Sequence, residues 1–153
     1  MSIAQFLPQD AIVLHLDASS SEQVIRVLGN RLHKLGLVKD GFVEATLRRE
    51  ADMPTGLPLG GEINAAIPHV DIEYVNQSSL ALATLTTPVV FYNMVEPDEA
   101  VPVRLVIMLA LDQPKAQIEM LQQVSALLQQ PALVDRLMMA QSPAEALGTL
   151  AAA

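Results

Sequence analysis

The chain has 153 residues, of which 51% are apolar and 17% charged, and its formal net charge is −8. This length allows one ordinary domain with its own core, residues 1–153, and the apolar content excludes a disordered chain. The excess of acidic side chains repels nucleic-acid phosphates, so we expect no nucleic-acid binding.

Several classes of site and segment lack the residues that they need. The sequence has no cysteine, which excludes a disulfide framework, a thiolate nucleophile and a Cys-based zinc site. The first residues lack the basic region and long apolar run of a signal peptide. The longest apolar stretch, Leu105 to Leu111, is far below the roughly 20 residues that span a bilayer. We therefore expect a cytoplasmic protein with no direct membrane insertion, which would reach a membrane process only by docking to another protein.

The first strand and helix are predicted within residues 11–36. Ala11 to Leu16 is a short apolar run with β-branched members, typical of a buried strand. Ser19 and Glu22 have the spacing of a capping box, and Gly36 is suited to end the helix. The apolar stripe of this helix consists of Val24, Ile25, Val27, Leu28, Leu32 and Leu35.

A second helix is expected from about Asp40 to Glu50, and a long loop follows it. Periodicity disappears between Pro54 and Pro68, where prolines and glycines interrupt the chain. These residues are Pro54, Gly56, Pro58, Gly60 and Gly61. Loops of this length in a compact domain are usually functional or disordered. The loop leads directly into His69, which makes this segment the first candidate for chemistry.

The second half of the chain predicts three strands followed by helices. The strand-like runs are Leu80 to Leu85, Val89 to Tyr92 and Val103 to Leu111. The last run is apolar almost throughout, as in a strand covered on both faces. Pro114 and Pro131 each open a helix, and Ser142 caps a final short one. Elements in this order predict an α/β fold in which helices sandwich a mixed β-sheet.

The chain has three histidines, whose spacings fit no metal-ligand pattern, so we expect no metal site. His15 lies in the apolar first strand and is interpreted as a structural residue. His33 falls on a polar face near the end of the first helix, where a cation is mildly favoured. His69 follows a proline at the end of the Gly-rich loop, which places an imidazole beside backbone N–H groups that could face an anion.

Two interpretations of His69 remain open on spacing alone. A neutral imidazole, with an unperturbed pKa of about 6.5, is a competent nucleophile near pH 7, whereas a turn histidine with a structural hydrogen bond is the alternative. Arg49 could fold back over His69 and hold two phosphate oxygens at once, or it could be a solvated helix terminus paired with Glu50. The sequence has no motif of a nucleotide-driven kinase or of a serine hydrolase.

Three groups of residues together resemble a known family. They are Arg49-Glu50, Pro54-Thr55-Gly56-Leu57 and Ala66-Ile67-Pro68-His69. In this order they are similar to the fructose/mannitol-type enzyme IIA proteins of the bacterial sugar phosphotransferase system, and the similarity extends over nearly the whole chain. The segment from Arg49 to Leu57 looks most like the galactitol-type branch.

The resemblance implies a fructose/mannitol-type enzyme IIA fold and a phosphoryl relay in the cytoplasm. His69 would accept a phosphoryl group on Nε2 from phospho-HPr and pass it to a cysteine of the IIB component. IIB would phosphorylate a sugar alcohol, galactitol in this branch, that enters through membrane-bound IIC. Arg49 would steady the phosphate, and no metal or other cofactor is implied. The alternative is a regulatory nitrogen-type IIA-like protein, which is phosphorylated but acts by binding partners.

The sequence departs from the family pattern near the site. Many relatives carry a second histidine where Gln117 lies here; a glutamine amide can donate a hydrogen bond to a phosphate oxygen but carries no charge. Val70 replaces the family glycine after His69, and Glu62 matches only loosely an acidic residue that precedes the motif. Apolar residues around the histidine are expected to contact partners, with ordinary loop packing as the alternative. The candidates are Leu57, Leu59, Ile63 and Val70.

Overall fold

The computed structural model describes residues 2–153 and has a five-stranded sheet at its centre. Its strands are β1 (Ile12–Leu16), β2 (Gly56–Leu57), β3 (Ala65–Ala66), β4 (Ser79–Tyr92) and β5 (Ala100–Ala110). The strand order is β1-β4-β5-β3-β2. The pairs β1–β4 and β3–β5 are parallel, whereas β4–β5 and β2–β3 are antiparallel. The predicted mixed sheet is therefore confirmed.

Helices cover both faces of this sheet. They are α1 (Ser21–Lys34), α2 (Phe42–Asp52), α3 (Pro114–Leu128), α4 (Pro131–Met139) and α5 (Pro143–Ala151). Residues of α1 and α2 form one core with one face of the sheet, and residues of α3, α4 and α5 form a second core with the other face. Successive side chains of β5 alternate between the two cores: Val106 and Met108 join the first, Ile107 and Leu109 the second. The α/β sandwich follows from this alternation.

Strand β4 is continuous, whereas the sequence predicts two separate runs in this region. Thr86, Thr87 and Pro88 are exposed and interrupt the apolar pattern. The pairing of β4 with β5 shifts register between Thr84 and Val89. A proline at a bulge interrupts the side-chain pattern without ending the strand. The prediction of two strands here was wrong for that reason, and β2 and β3, at two residues each, are too short to produce a pattern at all.

The start of α1 lies one residue later than the predicted capping box. Ser20, not Ser19, is the N-cap, and its side chain accepts a hydrogen bond of 3.1 Å from the N–H of Gln23. The side chain of Gln23 in turn accepts a 2.7 Å bond from the N–H of Ser19. Ser19 and Glu22 are therefore not the capping pair. Three consecutive serines allow the capping-box pattern to be placed one residue too early. Gly36 does end the helix, with φ +76°.

Helix α2 begins and ends two residues later than predicted, whereas the three predicted helix starts in the second half of the chain agree with the structure. Pro114 and Pro131 are the first residues of α3 and α4. The Ser142 hydroxyl accepts a 3.1 Å hydrogen bond from the N–H of Glu145 at the start of α5. Across residues 2–153, the helices fall short of the length and apolar content that crossing a membrane requires.

Candidate active site

The long loop before His69 is tied to the sheet by β2 and β3. Gly56 pairs with Ala66, and its carbonyl accepts a 2.9 Å hydrogen bond from the N–H of Met94. A Cβ at position 56 would lie 2.6 Å from the carbonyl oxygen of Tyr92. Only glycine therefore allows the backbones of β2 and of the end of β4 to approach this closely.

The segment from Ile67 to His69 continues β3 along the edge of β5. The N–H of Ile67 donates to the Thr55 carbonyl at 3.2 Å, and the N–H of Leu109 donates to the Pro68 carbonyl at 2.9 Å. His69 and Leu109 form a parallel bridge. Paired residues share a face of a sheet, and Leu109 belongs to the core beneath α3. The His69 side chain is therefore on the α3 side of the sheet.

The His69 ring has one fixed and one free nitrogen. Nδ1 lies 2.8 Å from the Ile67 carbonyl oxygen, and because a carbonyl only accepts, Nδ1 carries the hydrogen. Nε2 then has a lone pair. It has no hydrogen-bond partner in the described chain and is not enclosed by it. The residue as a whole is only 8% exposed.

The surroundings of His69 favour its neutral form. Burial is the main cause that lowers the pKa of the imidazole below its usual value, and the positive charge of Arg49 acts in the same direction. The hydrogen bond to the Ile67 carbonyl, and to a lesser degree the negative charge of Asp71, oppose this shift. A neutral ring with Nδ1 protonated and Nε2 accessible is the form that can attack an electrophile.

Arg49 reaches from the last turn of α2 to the segment that carries His69. Its Nη1 lies 3.3 Å from Oδ1 of Asp71, two residues after His69. Its side chain is 26% exposed, and its Nε is buried without a hydrogen-bond partner in the described chain. The guanidinium is thus held near the imidazole with donors left to bind an anion. The alternative of a solvated helix end paired with Glu50 does not describe this geometry.

Glu50 instead binds the start of the loop. Its Oε2 accepts a 2.8 Å hydrogen bond from the N–H of Thr55, and its Oε1 accepts a 2.8 Å bond from the Thr55 hydroxyl. Burial raises the pKa of the Glu50 carboxyl, and the two bonds from Thr55 and the charge of Arg49 oppose this. The sequence presents Glu50 as a possible partner of Arg49 and as part of the family resemblance, and predicts no contact with Thr55. Both residues belong to the groups that carry the family resemblance, which is the signal that could have pointed to their contact.

Gln117 lies in α3, the helix that packs on the His69 face of the sheet. The residue is partly buried, and its Oε1 is buried without a hydrogen-bond partner in the described chain. No hydrogen bond joins Gln117 to His69 or to Arg49 within residues 2–153. The structure thus places the glutamine on the correct side of the sheet, and its role stays a prediction.

The residues expected to contact partners are largely packing residues. Val70 is 4% exposed and belongs to the core beneath α1 and α2, so it is not a surface residue. It follows His69 by one position, and the alternation along the strand turns it to the opposite face. Leu57, Leu59 and Ile63 are partly buried against the core beneath α3, α4 and α5. Glu62 is exposed, on the rim of a cleft between the loop and α4.

The other two histidines lie in structural interactions. His15 has φ +54° at an irregularity of β1, and its Nε2 lies 3.0 Å from the Ala140 carbonyl. It is exposed rather than part of the core. The Nε2 of His33 lies 2.6 Å from Oδ1 of Asp40 at the surface. Among residues 2–153, no cluster of three or more His, Cys, Asp or Glu residues is arranged to hold a metal ion.

The chain is similar in sequence to known proteins. A family model described as "Phosphoenolpyruvate-dependent sugar phosphotransferase system, EIIA 2" matches residues 5–153. The galactitol-specific EIIA component of the phosphotransferase system of Escherichia coli (strain K12) is 35% identical to this chain over 116 residues, which cover 75% of each protein.

Two solved structures share the fold over almost the whole chain. In the complex of mannitol enzyme IIA with phosphorylated mannitol enzyme IIB from Escherichia coli, the similar chain has a TM-score of 0.76 and 27% identity, and the match covers 95% of this chain and 97% of that one. The nitrogen regulatory protein IIA-Ntr from Neisseria meningitidis has a TM-score of 0.73 and 25% identity, with 97% and 98% covered. The chain therefore belongs to the EIIA 2 family of the phosphoenolpyruvate-dependent sugar phosphotransferase system.

Proposed function

We propose that this chain is a phosphocarrier, in which His69 accepts a phosphoryl group from phospho-HPr and passes it to a cysteine of a cognate IIB component. The observation that carries the proposal is the 2.8 Å hydrogen bond between His69 Nδ1 and the Ile67 carbonyl. This bond leaves the Nε2 lone pair as the nucleophile of a neutral imidazole. The guanidinium of Arg49, tied to Asp71 beside the ring, supplies a positive charge for the phosphate.

The transfer needs no group beyond these side chains and the two partners. The Nε2 lone pair attacks the phosphorus of phospho-HPr, a bond from Nε2 to phosphorus forms, and the bond from phosphorus to HPr breaks. Nδ1 keeps its hydrogen and its bond to the Ile67 carbonyl throughout. In the second step, a thiolate of IIB attacks the phosphorus and Nε2 recovers its lone pair. Arg49 stabilises negative charge on the phosphoryl oxygens in both steps.

The partners and the sugar are inferred from the relatives. The similarity to a galactitol-specific EIIA component supports galactitol as the sugar alcohol that IIB would phosphorylate as it enters through IIC. The mannitol enzyme IIA that shares this fold forms a complex with its phosphorylated IIB. The likeness to a nitrogen regulatory IIA protein supports a second candidate, a protein that is phosphorylated and acts by binding partners.

The test combines phosphorylation and onward transfer. The chain is incubated with enzyme I, HPr and phosphoenolpyruvate, and intact mass is measured for wild type, His69→Ala and His69→Gln, with His33→Gln as the control. We expect one acid-labile phosphoryl group in wild type and His33→Gln and none in the two His69 variants. An unmodified wild type, or a modified His69→Ala, would overturn the proposal. Transfer of the phosphoryl group to a galactitol-type IIB is then measured. A phosphocarrier must pass the group on to IIB, whereas a regulatory protein need not.

A further inference from the structure

We propose that Glu50 is a positioning residue for His69, acting through Thr55 and Ile67 by hydrogen-bond geometry and not by its charge. The inference rests on the proposed phosphocarrier function for its kinetic readout only. Its second readout, the protonation pattern of the imidazole, is measured on the chain alone.

A continuous series of hydrogen bonds joins the two residues. The Glu50 carboxylate accepts both the N–H and the hydroxyl of Thr55, each at 2.8 Å. The Thr55 carbonyl accepts the N–H of Ile67 at 3.2 Å. The Ile67 carbonyl accepts the Nδ1–H of His69 at 2.8 Å. Thr55 and Ile67 are at most 1% exposed, so water does not compete for the intermediate bonds and the series is rigid.

The same carboxylate also fixes where the arginine lies relative to the histidine. Glu50 follows Arg49 directly in the last turns of α2. The two hydrogen bonds from Thr55 to Glu50 therefore hold the end of α2, which carries Arg49, against the loop that orients His69. A change in the separation between this helix end and the loop would displace the guanidinium relative to the imidazole. Phosphoryl transfer depends mostly on such positioning.

Geometry and charge can be separated with two substitutions at one position. In Glu50→Gln, the amide oxygen can accept the N–H of Thr55 while the amide nitrogen donates to its hydroxyl oxygen, so both bonds persist without the charge. In Glu50→Ala, neither bond can form, and the buried N–H of Thr55 is left without a partner. Glu44→Ala is the matched control, because Glu44 lies on the same helix and makes only an exposed ion pair with Arg26.

The experiment measures two quantities on each variant. One is the tautomer of His69, from long-range ¹⁵N–¹H correlation spectra of the unphosphorylated chain. The other is the rate of phosphoryl acceptance from phospho-HPr. We expect wild type, Glu50→Gln and Glu44→Ala to hold the hydrogen on Nδ1 and to react at rates within about threefold of each other. For Glu50→Ala we expect a mixture of tautomers and a rate about 10- to 100-fold lower.

A further variant covers the case in which Glu50→Ala does not fold. Thr55→Val removes only the hydroxyl bond, and we expect a several-fold slower acceptance with a detectable Nε2–H tautomer. If Glu50→Ala folds and keeps the wild-type rate and tautomer, the inference is overturned. If Glu50→Ala does not fold, a wild-type rate and tautomer in Thr55→Val overturn it. Glu50→Gln as slow as Glu50→Ala would show that the charge matters instead. If wild type takes no phosphoryl group, the proposed function fails, while the tautomer series still tests Glu50.

Discussion

Arg49 and Asp71 form an ion pair of 3.3 Å that joins the last turn of α2 to the residue two positions after His69. The Asp71 side chain is 68% exposed, and ion pairs at such a surface contribute little to stability. The pair can therefore open at low cost. A phosphoryl group on His69 would be a second anion near the Arg49 guanidinium, in addition to the Asp71 carboxylate.

The two members of this pair act on the pKa of His69 in opposite directions. Arg49 lowers it, in addition to the main effect of burial, and Asp71 raises it. In an NMR titration of the imidazole, we expect a higher pKa in Arg49→Gln than in wild type and a lower one in Asp71→Asn. An unchanged pKa of His69 in both variants would show that these charges do not act on the ring.

The lowered pKa also sets how the reaction and the fold respond to acid. Since neutral His69 is the nucleophile, acceptance of the phosphoryl group should fall on acidification with a midpoint below the usual value of 6.5. In the same range the unfolded chain binds the proton more readily than the folded one, so this residue reduces stability as the pH drops below 6.5. A rate profile measured from pH 8 down to the onset of acid unfolding locates the midpoint, and a midpoint at or above 6.5 would contradict the lowered pKa of His69.

Replacing the arginine tests its geometry separately from its charge. Arg49→Lys keeps the charge but loses the planar pair of donors, so we expect acceptance from phospho-HPr to slow by about 100-fold. Arg48→Lys is the matched control, because Arg48 is exposed on the same turn. Rates for both are measured by quenched-flow sampling and intact mass. A near-normal rate in Arg49→Lys would show that Arg49 does not form a bidentate hydrogen bond with the phosphate.

Gly56, where β2 runs beside the end of β4, should tolerate no side chain. Gly56→Ala places a Cβ against the Tyr92 carbonyl at 2.6 Å, and we expect a loss of about 1–3 kcal/mol in the free energy of unfolding. Gly61→Ala in the same loop meets no atom within 4 Å and should leave stability within about 0.5 kcal/mol. Urea unfolding of the two variants makes the comparison. Equal midpoints would show that β2 moves aside freely.

A charge at position 117 tests whether that side chain faces the phosphoryl group. Gln117→Glu adds a negative charge on the His69 side of the sheet, so it should slow acceptance by repelling the phosphate, about tenfold at an effective dielectric typical of such sites. Gln122→Glu adds the same charge on an exposed face of α3 and serves as the control. If the two variants react at the same rate, Gln117 does not take part in binding the phosphate.

Patterns that depend on neighbouring residues predicted most of the fold. The apolar run of β5, Pro114 and Pro131 at helix starts, and the cap at Ser142 all act within a few positions, and each was found where expected. Two predictions were wrong. Three consecutive serines allow more than one register for the cap of α1, and the irregularity between Thr84 and Val89 interrupts the apolar pattern without ending β4.

The sequence singles out His69 and Arg49 as candidates by their chemistry, but it does not predict the contacts that surround them. The ion pair of Arg49 with Asp71, two residues after His69, was not predicted, because it depends on how the end of α2 and the loop approach each other. The hydrogen bonds from Thr55 to Glu50 depend on how the chain turns after α2. No spacing rule describes that turn. For Val70 the packing alternative holds, because the bridge between His69 and Leu109 turns the next side chain into the core beneath α1 and α2.

The bridge between His69 and Leu109 also determines where the length of this chain can change. From Ala65 to Val70, odd-numbered residues turn to the core beneath α3 and Ala66 and Val70 to the opposite core. Deleting or inserting one residue between Ala66 and His69 would rotate the imidazole through the sheet into the wrong layer. Between Pro58 and Ile63, outside the paired strands, extra residues would only enlarge a surface loop. Extra residues are therefore tolerable between Pro58 and Ile63, whereas a change of one residue between Ala66 and His69 would remove the imidazole from the site.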